Sequence, residues 1–170
     1  TYLLDTYKEN DLTYDSFNKG KLESQLAYDG NYKAYFEFIA DSLKRYSSQR
    51  DKQKGEAFVH GFTLAMTSQN QFYRPISELD NDGGYADIFL SPLCDIYKDM
   101  VDSYIIELKY SKTNTADEQQ QVLFKEASAQ ICRYANSDIV KESVKTTKLH
   151  KLVVIYRGAE MVMCEEVTEE

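Results

Sequence analysis

The sequence contains no apolar run long enough to cross a membrane, and no signal-peptide pattern opens it. The first residue is Thr1, not Met, so we expect either a trimmed chain or a domain cut from a longer protein. The missing signal therefore says little about the compartment in which the protein works.

Cysteine is scarce, and its arrangement excludes small domains that depend on disulfide bonds or on bound zinc for stability. Cys94, Cys132 and Cys164 are widely spaced and odd in number. That pattern fits neither a disulfide framework nor a zinc-binding motif. We therefore expect reduced thiols and a cytoplasmic protein.

Positive charge is also in deficit, because 28 acidic residues outnumber 20 Lys and Arg and give a formal net charge of −8. This balance excludes a protein whose whole surface attracts nucleic acid. It leaves open a local basic cleft, or a site where a divalent metal compensates the acids. Four lysines form a modest basic cluster that either contacts a phosphate backbone or is only a solvated face: Lys141, Lys145, Lys148 and Lys151.

Hydrophobic periodicity predicts a mixture of helices and strands. With 170 residues, 14 Tyr and 8 Phe, the chain is large enough to bury one core. Helical spacing covers 32–46, 56–68 and 115–140, and strand patterns cover "QFYRPISEL", "YADIFLSP", "SYIIELKYS" and a hairpin around Gly158. Pro75 restricts the first strand to an edge or an end. The order predicts an α/β fold, a mixed sheet with helices packed against it. The first of these helices is expected to bury one stripe: Tyr35, Phe38, Ile39, Leu43 and Tyr46.

The strand "YIIELKY" carries two charges inside an apolar run. Side chains alternate along a strand, so Glu107 and Lys109 share one face while Leu108 points to the other. Burying these charges in a dry core is costly, which predicts that the strand opens onto a polar cleft. The alternative is a pair on the wet face of an edge strand, although Ile105 and Ile106 favour burial on both faces.

A second carboxylate, Asp87 in "GYADIFL", lies in the preceding strand. If the two strands are neighbours, Asp87 and Glu107 converge on one face. Two carboxylates beside Lys109 suit Mg²⁺ or Mn²⁺ and a phosphodiester, because the metal activates water and the lysine stabilises charge on the phosphate. The alternative is that Asp87 caps the turn after "DNDGG".

Asp87, the Glu-Leu-Lys at 107–109 and the helical motif "AxxQIxxY" from Ala127 to Tyr134 resemble the PD-(D/E)XK nuclease superfamily. Together with "EAFVHGF", they look like the nuclease-like domains attached to bacterial AAA-ATPase-like proteins, over roughly 56–167. The resemblance implies a restriction-endonuclease-like fold, with a mixed central sheet flanked by helices. Residues 51–170 would form this domain, and residues 1–50 a helical segment packing on it, together as one structural unit.

The resemblance also implies a metal site. Asp87 and Glu107 would bind Mg²⁺ or Mn²⁺ with the backbone carbonyl of Leu108. Glu56 matches an acidic position that some members use as an additional ligand. Its alternative role is simpler, since an acid in the first turn of a helix stabilises the helix dipole.

The remaining implied roles concern the substrate. Lys109 would be the catalytic lysine and Gln130 would orient water or a phosphate, while Tyr134 and Lys112 are candidates for substrate contacts; Tyr134 also fits a core position. Two positions depart from the pattern: Ala86 stands where the superfamily name has Pro, and Tyr85 stands where relatives often carry Arg.

Two functions follow from these residues. The first is a metal-dependent nuclease acting on nucleic acid, with DNA favoured over RNA and no membrane partner. The second is a nuclease-fold interaction domain without activity that serves an attached ATPase-like region. The acidic net charge and Tyr85 favour the second, and the retained Asp87, Glu107 and Lys109 favour the first.

Overall fold

The computed structural model describes residues 16–47, 55–79, 85–112, 114 and 116–168, without the side chains at 16–17, 78–79 and 85–87. Its helices are α1 (Ser16–Asp29), α2 (Tyr32–Tyr46), α3 (Glu56–Ser68), α4 (Asp117–Ala135) and α5 (Asp138–Ser143). Its strands are β1 (Tyr73–Leu79), β2 (Tyr85–Pro92), β3 (Asp102–Ser111), β4 (Lys148–Arg157) and β5 (Glu160–Glu166). The predicted "DNDGG" turn falls at 80–84, outside the described residues.

The five strands form one mixed sheet in the order β1-β2-β3-β4-β5. Neighbouring strands are antiparallel except β3 and β4, which are parallel and are connected through α4 and α5. Pro75 lies in β1, an edge strand, as its missing N–H requires. The predicted α/β class, a restriction-endonuclease-like mixed sheet flanked by helices, is confirmed.

Helices cover both faces of the sheet, and the alternation of β3 shows which side chains meet which helices. Ile106 and Leu108 belong to a core that α1, α2 and α3 share with the sheet. Ile105 belongs to a second core that contains Ile131 of α4 and Val140 of α5. Since the pleat has a period of two, Glu107 and Lys109 lie on the side of α4 and α5.

Two details of the predicted helices are wrong. The helix predicted to reach residue 140 ends at Ala135, because the chain turns at Asn136 and Ser137 before α5 begins. In α2, Phe36 is buried, whereas Phe38 is only half-buried and Tyr46 is exposed. The buried face of α2 is broader than a single stripe because α2 packs against α1, α3 and β5 together.

No helix within the described ranges is both long enough and apolar enough to cross a bilayer.

Candidate active site

Glu107 is a buried carboxylate at the centre of the sheet. It lies in β3, the third of five strands, and is 1% exposed. This position rules out the alternative of a solvated pair on an edge strand. A carboxylate removed from water to this extent requires a compensating charge or strong hydrogen bonds.

Lys109 supplies that compensation from the same strand. Its Nζ lies 2.8 Å from Oε1 of Glu107, and its side chain is 21% exposed. The same Nζ donates a hydrogen bond to Oε1 of Gln130 at 3.0 Å. The ammonium group therefore lies between a buried carboxylate and a helix amide, with one side open to solvent.

The packing of α4 explains why Gln130 reaches this position. Ala127 and Ile131 are fully buried against the sheet, and the small side chain of Ala127 packs on Val153 and Ile155 of β4. Gln130 is adjacent to this apolar stripe and is half-buried at its border. A side chain at that border can point along the sheet surface, which is the direction of Lys109.

The backbone register brings Asp87 next to Glu107. In the antiparallel pair of β2 and β3, Ile88 is opposite Ile106. Continuing this register by one residue puts Asp87 opposite Glu107, and opposed residues share a face. The pairing of β1 with β2 is irregular between Ser77 and Leu79, beside Asp87, and such bulges often re-aim side chains near active sites. The Asp87 side chain lies outside the described residues, so its convergence with Glu107 stays a prediction.

The donor chemistry of this site fits a hard divalent cation. Glu107 and Asp87 would offer carboxylate oxygens, the ligands that Mg²⁺ and Mn²⁺ prefer. Among residues whose side chains the structure describes, no three His, Cys, Asp or Glu form a group that could hold a metal. Asp87 is not among those residues. Leu108 is buried in the core on the other face, and the role of its carbonyl stays a prediction.

The structure does not bring Glu56 to the lysine and its partners. Glu56 is exposed in the first turn of α3, a helix that packs on the opposite face of the sheet from Glu107. Its neighbour Gly55 lies near the ring of Tyr110, so the start of α3 is at the same end of β3. The proposed ligand role of Glu56 would require it to reach around that end.

The two predicted substrate contacts lie in different environments. Tyr134 is half-buried and packs in the second core, one helical turn beyond Gln130. Lys112 is exposed one residue past the end of β3. Within the described ranges, Lys112 forms no ion pair or hydrogen bond.

A buried histidine cluster at the other end of β3 was not predicted. Nε2 of His150 lies 2.7 Å from Oδ1 of Asp102, and its Nδ1 lies 2.8 Å from Oε1 of Glu166. The ring stacks on Tyr104, with centroids 4.9 Å apart. The parallel register of β3 and β4, which pairs Tyr104 with His150, creates this contact. No local pattern in the sequence reveals that register.

Three tyrosines and one cysteine in the core on the other face of the sheet have strongly raised pKa values. Desolvation is the main cause that raises the pKa of Tyr73, Tyr104 and Tyr156 well above the usual range for a phenol. Burial likewise raises the pKa of Cys164 to about 12. These groups stay protonated at neutral pH. The hydroxyls of Tyr73 and Tyr104 donate hydrogen bonds of 2.7 Å to the backbone carbonyls of Asp102 and Leu26.

Comparison with protein families agrees with this arrangement. A family model described as PD-(D/E)XK nuclease superfamily matches residues 54–166, which is more than half of the chain. The chain therefore belongs to the PD-(D/E)XK nuclease superfamily. Comparisons with curated proteins and with solved structures gave no match.

Proposed function

We propose that this protein is a metal-dependent nuclease that hydrolyses phosphodiester bonds in nucleic acid, with DNA favoured over RNA. The observation that carries the proposal is the group formed by Glu107, Lys109 and Gln130 on the central strand of a superfamily member. A lysine held between a buried carboxylate and an amide, with one open side, is suited to meet an anionic substrate.

In this proposal Asp87 and Glu107 would hold Mg²⁺ or Mn²⁺, with the Leu108 carbonyl as a further ligand. Glu56 would be another only by reaching around the end of β3. The metal, when bound, supplies an activated water and offsets the charge of the phosphate. Lys109 stabilises the negative charge that develops on the phosphoryl oxygens.

Gln130 has a more specific part than the sequence suggests. Its carbonyl oxygen accepts a hydrogen bond from Lys109, so it holds the ammonium in place. We assign Gln130 the role of a positioning residue for Lys109. Tyr134 and Lys112 remain candidates for contacts with the substrate.

The wider setting is also part of the proposal. Three free cysteines are consistent with the proposed cytoplasmic location. We further propose that residues 1–50 and 51–170 belong to a longer chain with an ATPase-like region. A second candidate function, an inactive interaction domain serving that region, is favoured by the net charge of −8 and by Tyr85 at the position of the expected Arg.

A cleavage assay with a lysine variant separates the two functions. Labelled single- and double-stranded DNA and RNA are incubated with Mg²⁺, Mn²⁺ or EDTA, using wild type, Lys109→Ala and Lys21→Ala. We expect metal-dependent cleavage by wild type and by Lys21→Ala, because Lys21 is an exposed residue of α1. Lys109→Ala should lose at least 100-fold, of the order found when one group that stabilises transition-state charge is removed.

Two results would contradict the proposal. Cleavage that survives in Lys109→Ala at the wild-type rate would remove the catalytic role of the lysine. Absence of cleavage in every condition, with the protein folded, would favour the interaction domain.

A further inference from the structure

Positive charge is concentrated in one segment of this acidic chain. Residues 133–151 contain five Lys and Arg against two acids, a formal charge of +3 with His neutral, in a chain of −8. The acids are Asp138 and Glu142. Over 133–145, which contains both acids, the formal charge is +1 and comes from three cations that follow Gln130 toward the start of β3: Arg133, Lys141 and Lys145. We call these three residues the basic track.

The basic track lies on the same face of the sheet as Glu107. Arg133 is exposed, three residues after Gln130, and side chains at this spacing lie on one side of a helix. It is therefore one turn from the residue that contacts Lys109. The helix α5 packs on the same face through Val140 and carries exposed Lys141. Exposed Lys145 follows α5, two residues before Thr147, whose hydroxyl contacts Oγ of Ser103 near the start of β3 at 2.8 Å.

None of the three cations of the basic track forms an ion pair within the described part of the chain. Some cations elsewhere are paired: Lys33 with Glu165 at 3.4 Å, Lys44 with Glu160 at 3.0 Å and Arg157 with Asp117 at 2.6 Å. The charge of the basic track is therefore available to a ligand.

The backbone at Lys145 adds a second observation. Its φ is +50°, the one positive φ of a non-glycine residue in the described chain. Gly and Asn adopt this conformation more readily than Lys, which is disfavoured there by roughly 1 kcal/mol. A lysine at this position contributes charge at some expense of stability, as residues at functional surfaces often do.

We infer that the basic track binds the phosphate backbone of the nucleic acid strand that enters the active site. The strand would leave the carboxylates past Gln130, follow the last turns of α4 over Arg133, and continue over α5. Such contacts would offset the repulsion between an acidic protein and a polyanion. The inference rests on the proposed nuclease function and adds the path of the substrate.

Binding is tested separately from cleavage in the Lys109→Ala background. Fluorescence anisotropy of labelled single- and double-stranded DNA is measured as a function of KCl concentration. Arg133→Gln with Lys141→Gln should weaken binding and make the slope of log K against log salt shallower by about 1.5, since each lost phosphate contact removes about 0.7–0.9. The control is Lys21→Gln with Arg45→Gln, an equal charge change at exposed sites of α1 and α2, and it should leave the slope unchanged.

A third variant separates loss of binding from loss of folding. Lys145→Asn removes a charge but suits a positive φ, so its melting temperature should equal or exceed that of the parent while its affinity for DNA falls.

If wild type cleaves DNA but the basic-track variants bind as tightly as the parent, the proposed path is wrong and the proposed nuclease function is unaffected. Equal losses in the control pair would show a general charge effect and overturn the path. If wild type neither cleaves nor binds, the proposed function fails, and the path with it.

Discussion

In the proposed mechanism, Lys109 is the residue on which the chemistry of the site depends. It neutralises Glu107, which is almost fully buried, and it keeps an exposed side toward solvent. In the absence of a metal, the lysine is therefore a substitute for the cation that the carboxylates would hold. This arrangement compensates the buried charge of Glu107 before the proposed metal and substrate would bind.

This pairing leads to a prediction about metal affinity. Lys109→Ala should bind Mn²⁺ at least as tightly as wild type, because Glu107 loses a competing cation. Asp87→Asn should weaken binding by 10-fold or more, which corresponds to about 1.4 kcal/mol. Calorimetric titration with Mn²⁺ measures both variants, with Asp95→Asn as an exposed control. Binding that is indifferent to Asp87→Asn, or lost in Lys109→Ala, would contradict these assignments.

A second prediction at this scale concerns Gln130. Gln130→Ala removes one of the two partners of the lysine, so the ammonium should be less well positioned. Loss of such an orienting partner typically lowers activity by about 10–100-fold. We expect kcat to fall in this range with Mn²⁺ affinity unchanged, measured by cleavage kinetics and calorimetry.

The matched control for Gln130 is Glu126→Ala, an exposed position one turn earlier on α4. It should cleave like wild type. A Gln130→Ala protein with wild-type kcat would show that Gln130 does not position the lysine, and a large loss of metal affinity would assign it a different role.

At the scale of elements, the strands determine which residues meet. Hydrophobic patterning was enough to predict the site strand and its buried character, from the apolar β-branched run, and the helix that follows it, from helical spacing. It was not enough to predict the break at Asn136 and Ser137, because the local pattern stays helical through both helices. Periodicity also missed Phe36, since it shows one face of α2 and this helix has neighbours on several sides.

Strand register is the other property that the sequence could not supply. The contact of His150 with Asp102 and Glu166 depends on residues that are 48 and 16 positions away from the histidine. Both acids look like ordinary surface residues in the sequence. The Glu107 and Lys109 pair was predictable because its two members are on one strand, where spacing alone fixes the face.

The histidine cluster gives a prediction for the stability of β3 and β4. His150→Ala should lower the free energy of unfolding by roughly 3 kcal/mol, because Asp102 stays buried after losing its partner. Urea unfolding measures the change. Lys33→Ala, which breaks an exposed ion pair with Glu165, should change stability little and is the control. A His150→Ala protein as stable as the control would show that the cluster does not support the sheet.

At the scale of the whole molecule, α1 and α2 are part of the same core as the sheet. Leu26, Tyr35, Phe36, Ile39 and Leu43 are at most 1% exposed and pack in one cluster with Ile88 and Ile106. The family match begins at residue 54, after both helices. The hydrophobic core of the segment that matches the superfamily is therefore completed by residues of α1 and α2, which lie outside the match.

This dependence leads to a prediction for a truncated protein. Residues 51–170 alone should fail to fold cooperatively, because deletion removes α1 and α2, two of the three helices that cover one face of the sheet. The five large side chains named above contribute roughly 10 kcal/mol by burial, at about 2 kcal/mol each. A domain of this size is stable by only about 5–15 kcal/mol in total, so the loss removes most or all of that margin. Near-ultraviolet circular dichroism and thermal melts of the fragment and the full chain measure the difference. A fragment with a cooperative melt and native aromatic signals would show that residues 1–50 are a separate unit, and that the nuclease-like part is complete without them.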